Sequence, residues 1–448
     1  MNKHLLILIC VAASVHIIYS TLWYVMGRPQ YSLGGDASSY ITTAQNFLSQ
    51  DIWSSDQKLY PLPDNFRTPL YPLFLSFFLF FHLSFFYAVV FQDSIMILGV
   101  AVVYVLGKKL FSERIAFFAS LILALSPYLA SSFVSRSIMA EPFSFLFTSL
   151  SFLLFALYIR DTKQNYLYLG SLFLALDALT KPQFVLFSFF ILLAFIYTQG
   201  KKKVSHCVIS LGLFGLLISP WLYYTFTRFR VLQFSSVSHT TLFDASVRFQ
   251  SWREGTRGKD YRVEGRKVLD VENDPTFTDT QLFEPHNALR LASYGISYIS
   301  HAPFSYIVYH LIHIPRLFYH DTTIDSLYED FGIFSSIHQG DDIQVIKDGI
   351  RGNISSAWYG LIDHPAWILS LSLKFLTLLM SILAFSTVFF ERKRHMLFLV
   401  GVIAVYGALV SPFGLHRYRV PIEPLLLLLA FNTISIIKKR STVKYPVY

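Results

Sequence analysis

The sequence is poor in charged residues and almost without cysteine. Charged residues make up 15% of its 448 positions, against about 25% in an ordinary soluble protein, whereas 54% are hydrophobic. A water-soluble globule could not bury that much apolar surface, so most of the chain is expected to lie in lipid. The two cysteines, Cys10 and Cys207, lie in apolar runs, which excludes a disulfide framework and a cysteine-based metal site.

Glycine is also scarce, with 21 residues against 44 phenylalanines and 27 tyrosines. Tight helix crossings built on small residues should therefore be few. The net charge of +9 could suggest a nucleic-acid partner, but membrane proteins concentrate positive charge in their cytoplasmic turns. We expect no nucleic-acid partner.

Long apolar runs bounded by polar turns predict an all-α polytopic membrane protein of about ten or eleven transmembrane helices. The first run has no convincing cleavage site and is expected to be retained as a span. The predicted spans are 5–26, 86–107, 115–133, 142–159, 166–179, 183–197, 204–226, 367–390, 396–410 and 421–437.

Basic residues cluster in alternate turns between these runs, which predicts that both termini are cytoplasmic. The clusters are Lys108-Lys109, Arg160 to Lys163, Lys201 to Lys203, Glu391 to Arg394 and Lys438 to Arg440. Counting 70–85 as a further span would place most of them outside, so we predict a re-entrant or interfacial helix there. A compensating crossing in 294–319 is disfavoured by three interior histidines and two prolines.

The predicted organisation has three parts. Residues 1–226 form a transmembrane catalytic module with an external loop at 27–69, and 366–448 form the last transmembrane helices. Between them, 227–365 is expected to be a small α-rich or mixed external domain with an amphipathic helix at 287–300. Loops of this length are usually functional or disordered.

Asp36 is the first candidate catalytic residue. A helical spacing begins at Ala37 and places Asp36 at the N-cap of a helix along the membrane surface, close to Tyr40. Capping is the commonest role of an aspartate there. A carboxylate at the headgroup level of a polytopic protein nevertheless suits proton transfer.

Arg67 and Glu141 each start an apolar segment. An arginine gains nothing from the dipole at a helix N-terminus, so Arg67 suggests a bound anion, with snorkelling to the headgroups as the alternative. Glu141 precedes Pro142 and could simply complement a helix dipole. It would also supply a second carboxylate for acid and base chemistry.

Several cations fall on the predicted outer face, against the positive-inside bias. They are Arg67, Arg136, Lys181, Arg417 and Arg419. Together they predict an anionic ligand at the outer leaflet. A lipid-borne phosphate ester fits best, because arginine matches its oxygens and its tail needs the bilayer.

Four motifs in order carry a family resemblance: Gly35-Asp36 with Tyr40, Arg67 to Pro72, Ser135-Arg136 with Glu141-Pro142, and Arg417 to Pro421. The chain resembles bacterial GT-C glycosyltransferases, in particular the protein-mannosyltransferase-like group that includes the aminoarabinose transferases of lipid A. The resemblance implies an enzyme of a bacterial inner membrane that uses a polyprenyl-phosphate sugar. It implies Asp36 as catalytic base and Arg67 on the donor phosphate.

Chemically, we expect Asp36, helped by Glu141, to take the proton of an acceptor hydroxyl as it attacks the anomeric carbon. The acceptor would be a glycan, lipid or protein, and direct displacement would invert the anomeric centre. The expected substrate-binding residues are Tyr40, Arg67, Arg136, Lys181, Arg417 and Arg419.

Two further possibilities remain open in the sequence. His286 could complete a Mn, Mg or Zn site with Asp36 or Glu141, although a lone loop histidine is more often polar surface. The intramembrane charges Asp93, Asp177 and Lys374 would suit a transporter or flippase. However, no pair of Gly- or Pro-broken spans recurs in two halves, as transporter repeats usually show.

Overall fold

The computed structural model describes residues 2–33, 35–59, 61–199, 204–256, 258–332, 365–411 and 416–443. Over these ranges the chain is helical and has no β-strand, apart from an isolated bridge between Ser32 and Ser137. The all-α prediction is confirmed. The basic turn Lys201 to Lys203 lies outside the described residues.

The first ten helices cover the segment up to Phe229. They are α1 (Lys3–Val25), α2 (Ala37–Gln50), α3 (Leu70–Phe80), α4 (Phe85–Leu110), α5 (Glu113–Leu125), α6 (Pro127–Ala130), α7 (Glu141–Asp161), α8 (Gln164–Thr180), α9 (Gln183–Gln199) and α10 (Val204–Phe229).

Nine more follow in the rest of the described chain. They are α11 (Ser236–Glu254), α12 (Tyr261–Val268), α13 (Pro285–Ser300), α14 (Pro303–Tyr319), α15 (Thr323–Phe331), α16 (Pro365–Phe390), α17 (Arg394–Val410), α18 (His416–Arg419) and α19 (Glu423–Val443). A short 3-10 helix, Asp279–Phe283, precedes α13.

Five of the described helices are long and apolar enough to cross a membrane: α1, α4, α7, α10 and α16. Among the other predicted spans, α8, α9 and α17 each have 17 residues and would extend only about 26 Å. The predicted span 115–133 is not continuous, because α5 ends at Leu125 and only the four residues of α6 follow as helix. The number of spans and the orientation of the termini stay predictions.

The doubtful apolar segment 70–85 does not form a span. Helix α3 has 11 residues, about 16 Å of helix, which is too short to cross a bilayer. It ends before His82, whose φ of 54° lies in the left-handed region. The segment 294–319 is likewise interrupted, because α13 ends at Ser300 and α14 begins at Pro303.

The helices between α11 and α15 pack in two different ways. Helices α11 to α13 enclose a small apolar core of their own, which includes Phe243, Leu282 and Leu291. Helix α14 instead contacts α16 and α17, and α15 contacts α6 and α16. This region is helical wherever it is described, and the boundaries at 227 and 365 stay a prediction.

The main apolar core unites α4, α5, α7 to α9, α17 and α19. One close approach of helices in this core is at Gly107 of α4. A Cβ there would lie 2.4 Å from Leu428 Cδ2 and 2.9 Å from the backbone Cα of Ala116. The absence of a side chain at Gly107 therefore lets α4 approach α5 and α19.

This close approach predicts the effect of a matched pair of substitutions. Gly107→Ala should lower stability by about 1–3 kcal/mol, because the backbone of Ala116 cannot move aside as a flexible side chain can. Gly401→Ala is the control, since no atom lies within 4 Å of the added Cβ. The unfolding midpoints of both variants in one detergent measure the difference, and equal midpoints would refute this packing.

Candidate active site

A cavity of about 260 Å³ lies where α2, the segment before α3, the α8–α9 turn, α11 and α18 meet. It contains much of the predicted cationic site. The residues used below that line it are Asp36, Tyr40, Phe66, Arg67, Lys181, Gln183, Thr240, Thr241, Asp244, Tyr261, Arg417 and Tyr418.

Asp36 occupies the N-cap position of α2, yet its side chain makes no capping hydrogen bond. Its Oδ1 accepts a hydrogen bond from Arg67 Nη2 at 2.9 Å. Its Oδ2 accepts one from Arg417 Nη1 at 3.4 Å. The carboxylate is therefore engaged by two guanidinium groups, and the helix-cap alternative does not describe what it does.

The residue before Asp36 must be compact and left-handed. Gly35 has a φ of +62°, and a Cβ there would lie 3.6 Å from Arg417 Nη1 and 3.5 Å from Met139 Cε. Glycine reaches this conformation without the steric penalty of other residues. The turn at Gly35 thus brings the Asp36 carboxylate to the two arginines.

Arg67 is held on several sides and is only 8% exposed. Its Nε donates to Ser39 Oγ at 2.8 Å, and its guanidinium carbon lies 4.3 Å from the centre of the Tyr40 ring. Trp53 Nε1 donates to the Arg67 carbonyl oxygen at 2.9 Å. These contacts fix the guanidinium inside the cavity, which does not fit a side chain that snorkels to lipid headgroups.

Arg417 enters from α18. Besides Asp36, its Nη2 contacts the Tyr418 hydroxyl at 3.3 Å. Its Nε is buried and has no hydrogen-bond partner among the described residues. Arg417 therefore retains hydrogen-bonding capacity within the cavity.

Lys181 and Glu141 form a buried ion pair. Lys181 Nζ donates to Glu141 Oε1 at 2.6 Å, and the two side chains are 8% and 1% exposed. Lys181 lines the cavity, whereas Glu141 does not. Contrary to the expectation of a second catalytic carboxylate, Glu141 lies behind Lys181, where it can orient the ammonium group.

The electrostatics of the cavity favour an anion. Burial alone would raise the pKa of the Asp36 carboxyl, but the charges of Arg67, Arg417 and Lys181 outweigh burial and hold that pKa below its ordinary value. Asp36 is therefore ionised at neutral pH. Three cations and two carboxylates, Asp36 and Asp244, line the cavity, and because Arg67 and Arg417 share Asp36 as their counter-charge, a phosphate can bind to both arginines.

Two of the predicted binding residues lie elsewhere. Arg136 donates to Ser20 Oγ at 3.0 Å and lies 3.8 Å from Asp93 Oδ2. Arg419 donates to the His320 carbonyl oxygen at 2.7 Å. Neither lines the cavity. Arg419 follows Arg417 by two residues, about 200° around a helix, so the two side chains diverge.

The proposed metal site at His286 is not formed. His286 is exposed near the start of α13, and no group of three or more His, Cys, Asp or Glu side chains suited to a metal occurs in the described parts of the chain. The arrangement there does not fit a bound divalent ion, so no chemical step is assigned to one.

The sequence analysis missed the part of the cavity wall that α11 and α12 form. Thr240, Thr241 and Asp244 come from α11, and Tyr261 begins α12. The spacing of Thr240 and Asp244 would put them on one face of a helix, but no motif marks them. Tyr418 was overlooked although it separates two arginines that were chosen.

An apolar groove of about 530 Å³ adjoins the cavity and shares Pro182, Gln183, Val237, Thr241 and Tyr418 with it. The groove runs between α9, α11, α14 and α17, with Leu186, Leu242 and Leu409 among its walls. A polar cavity thus continues into a hydrophobic one.

The two acids among the intramembrane charges, Asp93 and Asp177, each have polar partners close by. Asp93 accepts hydrogen bonds from Ser135 Oγ at 2.7 Å and lies against Arg136. Asp177 accepts one from Thr148 Oγ1 at 2.6 Å. Each acid has local partners of its own, which gives the transporter alternative no structural support.

Comparison with known proteins places the fold. Residues 67–224 match the sequence profile of the dolichyl-phosphate-mannose-protein mannosyltransferase family. The Archaeoglobus fulgidus oligosaccharyltransferase in complex with Zn and sulfate is similar in structure, with 14% identity and a TM-score of 0.50 over 98% of this chain and 50% of that one.

A second structure, AglB from the same organism in complex with an inhibitory peptide and a dolichol-phosphate, has 12% identity and a TM-score of 0.47 over 96% of this chain and 52% of that one. The chain spans about half the length of these solved structures. No curated protein sequence matches it.

The helical architecture, the profile match over residues 67–224 and the similarity to the structure with Zn and sulfate indicate a multi-pass membrane protein with the GT-C fold. Within that class, the expected resemblance to the protein-mannosyltransferase-like group is confirmed for residues 67–224. The finer resemblance to aminoarabinose transferases stays a prediction.

The buried ion pair predicts a stability effect. Removing one partner of a buried ion pair lowers the free energy of unfolding by about 3–5 kcal/mol. The loss for Glu141→Gln should be near the lower end of this range, because Lys181 also borders the cavity. Glu254→Gln is the control, since Glu254 pairs with Lys259 at 2.8 Å on the surface. Thermal unfolding should show a clear loss for the first variant only, and an unchanged midpoint for Glu141→Gln would contradict the pairing.

Proposed function

We propose that the chain is an inverting glycosyltransferase that moves a sugar from a polyprenyl-phosphate donor to a hydroxyl acceptor at the outer face of the cell membrane. The observation that carries this proposal is the Asp36 carboxylate between Arg67 and Arg417 in a cavity that opens into an apolar groove. A base, cations for a phosphate and room for a lipid tail are what such a reaction needs.

In this proposal the donor lies with its phosphate at the cations and its prenyl chain in the groove. Arg67 and Arg417 offer planar guanidinium groups that suit phosphate oxygens, and Lys181 adds a point charge. The mostly apolar walls of the groove, such as Leu186 and Leu409, would cover the chain.

In the chemical step, the anomeric carbon exchanges its bond to the phosphate oxygen for a bond to the acceptor oxygen. The acceptor oxygen bonds to the anomeric carbon while the bond from that carbon to the phosphate oxygen breaks, so the lipid phosphate leaves with the electron pair. The acceptor proton passes to Asp36. The three cations stabilise negative charge that grows on the phosphate.

Binding of the donor would also prepare the base. Without donor, the arginines lower the pKa of Asp36 and make it a weak proton acceptor. A phosphate that shares Arg67 and Arg417 withdraws part of their hydrogen bonding and adds a nearby negative charge, and both effects raise the basicity of Asp36. By binding the phosphate, Arg67 and Arg417 therefore free Asp36 to act as the base.

The acceptor side is proposed to be the α11 wall. Thr240, Thr241 and Asp244 line the same cavity as the arginines, and their hydroxyl and carboxylate groups suit sugar hydroxyls. The acceptor itself, a glycan, lipid or protein, and location in a bacterial inner membrane with both termini cytoplasmic belong to this proposal.

The role of the base can be tested with one pair of variants. Asp36→Asn keeps the shape of the side chain but removes the proton acceptor, so sugar transfer should fall at least about 100-fold. Asp51→Asn at the other end of α2 is the control, because Asp51 is exposed and adopts a left-handed conformation that asparagine tolerates. Transfer to the acceptor from a polyprenyl-phosphate sugar measures both.

Comparable activity of Asp36→Asn and wild type, with an intact unfolding midpoint, would exclude Asp36 as the base. A loss in both Asp36→Asn and Asp51→Asn would instead indicate that α2 tolerates no substitution.

The role of the phosphate ligand needs a separate test. Arg67→Ala should weaken use of the donor by about 2 kcal/mol or more, because a charge-assisted contact in a buried site is lost. Arg67→Lys should restore only part of it. Both KM for the donor and kcat should change, since phosphate charge grows in the transition state.

Arg28→Ala is the matched control. Arg28 belongs to the same 27–69 loop but is exposed and contacts the Glu329 carbonyl oxygen. If Arg67→Ala kept full activity, the phosphate would be assigned to other residues. The same would follow if Arg28→Ala and Arg67→Ala lost activity to a similar extent.

A further inference from the structure

A second cavity, of about 290 Å³, lies between α5, α16 and α19. The short helix α18 borders both cavities: Arg417 and Tyr418 line the candidate active site, whereas His416 and Arg419 line the second cavity. The proposed glycosyl transfer uses none of the groups in this second cavity.

One wall of the second cavity carries the buried guanidinium group of Arg419, and two of its nitrogen atoms make no hydrogen bond to the described residues. Arg419 is 1% exposed, and its Nη1 donates to the carbonyl oxygens of Leu317 at 3.3 Å and His320 at 2.7 Å. Its Nε and Nη2 have no hydrogen-bond partner among the described residues. Leaving charged donors unsatisfied is costly, so these two atoms indicate an anionic oxygen ligand.

Two carboxylates stand beside the same guanidinium. Arg419 Nη2 lies 3.7 Å from Asp321 Oδ2 and 3.5 Å from Glu423 Oε1. His416 lies near both acids, with its Nδ1 4.0 Å from Asp321 Oδ2 and its Nε2 3.8 Å from Glu423 Oε2, and its ring stacks on Tyr128. An isolated phosphate would be repelled by the acids and an isolated ammonium by Arg419. A ligand that carries both charges would satisfy both sides.

The other end of the cavity is apolar and reaches the surface of the helix bundle. Ile122, Leu125 and Leu376 line the cavity and are 41%, 54% and 50% exposed. They belong to α5 and α16, both among the predicted spans. The cavity therefore opens sideways towards lipid, at the level where α19 begins.

We propose that this cavity binds one zwitterionic membrane phospholipid with a primary amine, such as phosphatidylethanolamine. The phosphate accepts hydrogen bonds from Arg419 Nε and Nη2, and the ammonium group donates to Asp321 and Glu423. The start of an acyl chain lies along Leu373 and Leu376 of α16. A primary ammonium has three donors for two carboxylates, whereas a quaternary ammonium has none.

Occupancy has a consequence for the neighbouring cavity. A lipid held by Arg419 fixes α18, which also carries Arg417 towards Asp36. The site would thereby help to position Arg417. This inference does not depend on the proposed function, because binding is measured without any transfer reaction.

The test uses the purified, delipidated full chain in detergent and native mass spectrometry with three lipids of identical acyl chains: phosphatidylethanolamine, phosphatidylcholine and phosphatidylglycerol. Phosphatidylethanolamine should be retained more strongly than the other two lipids, with a Kd about tenfold lower. Equal retention of the three lipids, or a preference for phosphatidylglycerol, would overturn the proposal.

Variants locate the binding. Leu376→Trp should close the opening and reduce retention of phosphatidylethanolamine about tenfold. Phe375→Trp is the control, because the neighbouring Phe375 is 68% exposed and does not line the cavity. Wild-type retention in a folded Leu376→Trp variant, or an equal loss in Phe375→Trp, would place the lipid elsewhere.

Glu423→Gln tests the headgroup and decides the matter if Leu376→Trp does not fold. It is nearly isosteric and removes one of the two acceptors of the ammonium. The preference for phosphatidylethanolamine over phosphatidylcholine should fall, and an unchanged preference would contradict the assigned orientation.

Discussion

The arrangement of the candidate site depends on one shared carboxylate. Asp36 is held by Arg67 and Arg417, whose contacts to it are 2.9 and 3.4 Å long. These residues come from the loop after α1, the segment before α3 and the turn before α19. Because two guanidinium groups need a negative counter-charge when buried, Asp36 joins the two ends of the chain at one cavity, where both arginines share it.

The sequence predicted the architecture well, because the physical signal is strong. Apolar runs without charge must satisfy their backbone hydrogen bonds as helices in lipid. Every predicted span except 115–133, which is broken after Leu125, is helical over nearly all of its described length. Segment 70–85 was separated from the spans because counting it as one would place the basic turns on the outside. The outer-face cations Arg67, Lys181 and Arg417 stood out against the positive-inside bias, and the structure brings them together.

What failed was the assignment of individual side chains to a cavity. Arg136 and Arg419, like Arg417, are cations on the predicted outer face, against the positive-inside bias. Yet carbonyl, hydroxyl or carboxylate groups hold each of them away from the cavity. The direction of a side chain depends on the turn of a short helix and on partners far away in sequence, such as His320. The α11 wall was missed for the same reason, because Thr240 and Asp244 gain their meaning only from what packs against them.

The central claim is that Arg67 and Arg417 form the phosphate site of a lipid-linked donor above an apolar groove. A cryo-electron microscopy structure of the full chain with a polyprenyl phosphate tests it most directly. The account predicts the phosphate within hydrogen-bond distance of Arg67 and Arg417, with the prenyl chain along Leu186 and Leu409. A phosphate bound away from both arginines, with the Asp36 ion pairs intact, would contradict it.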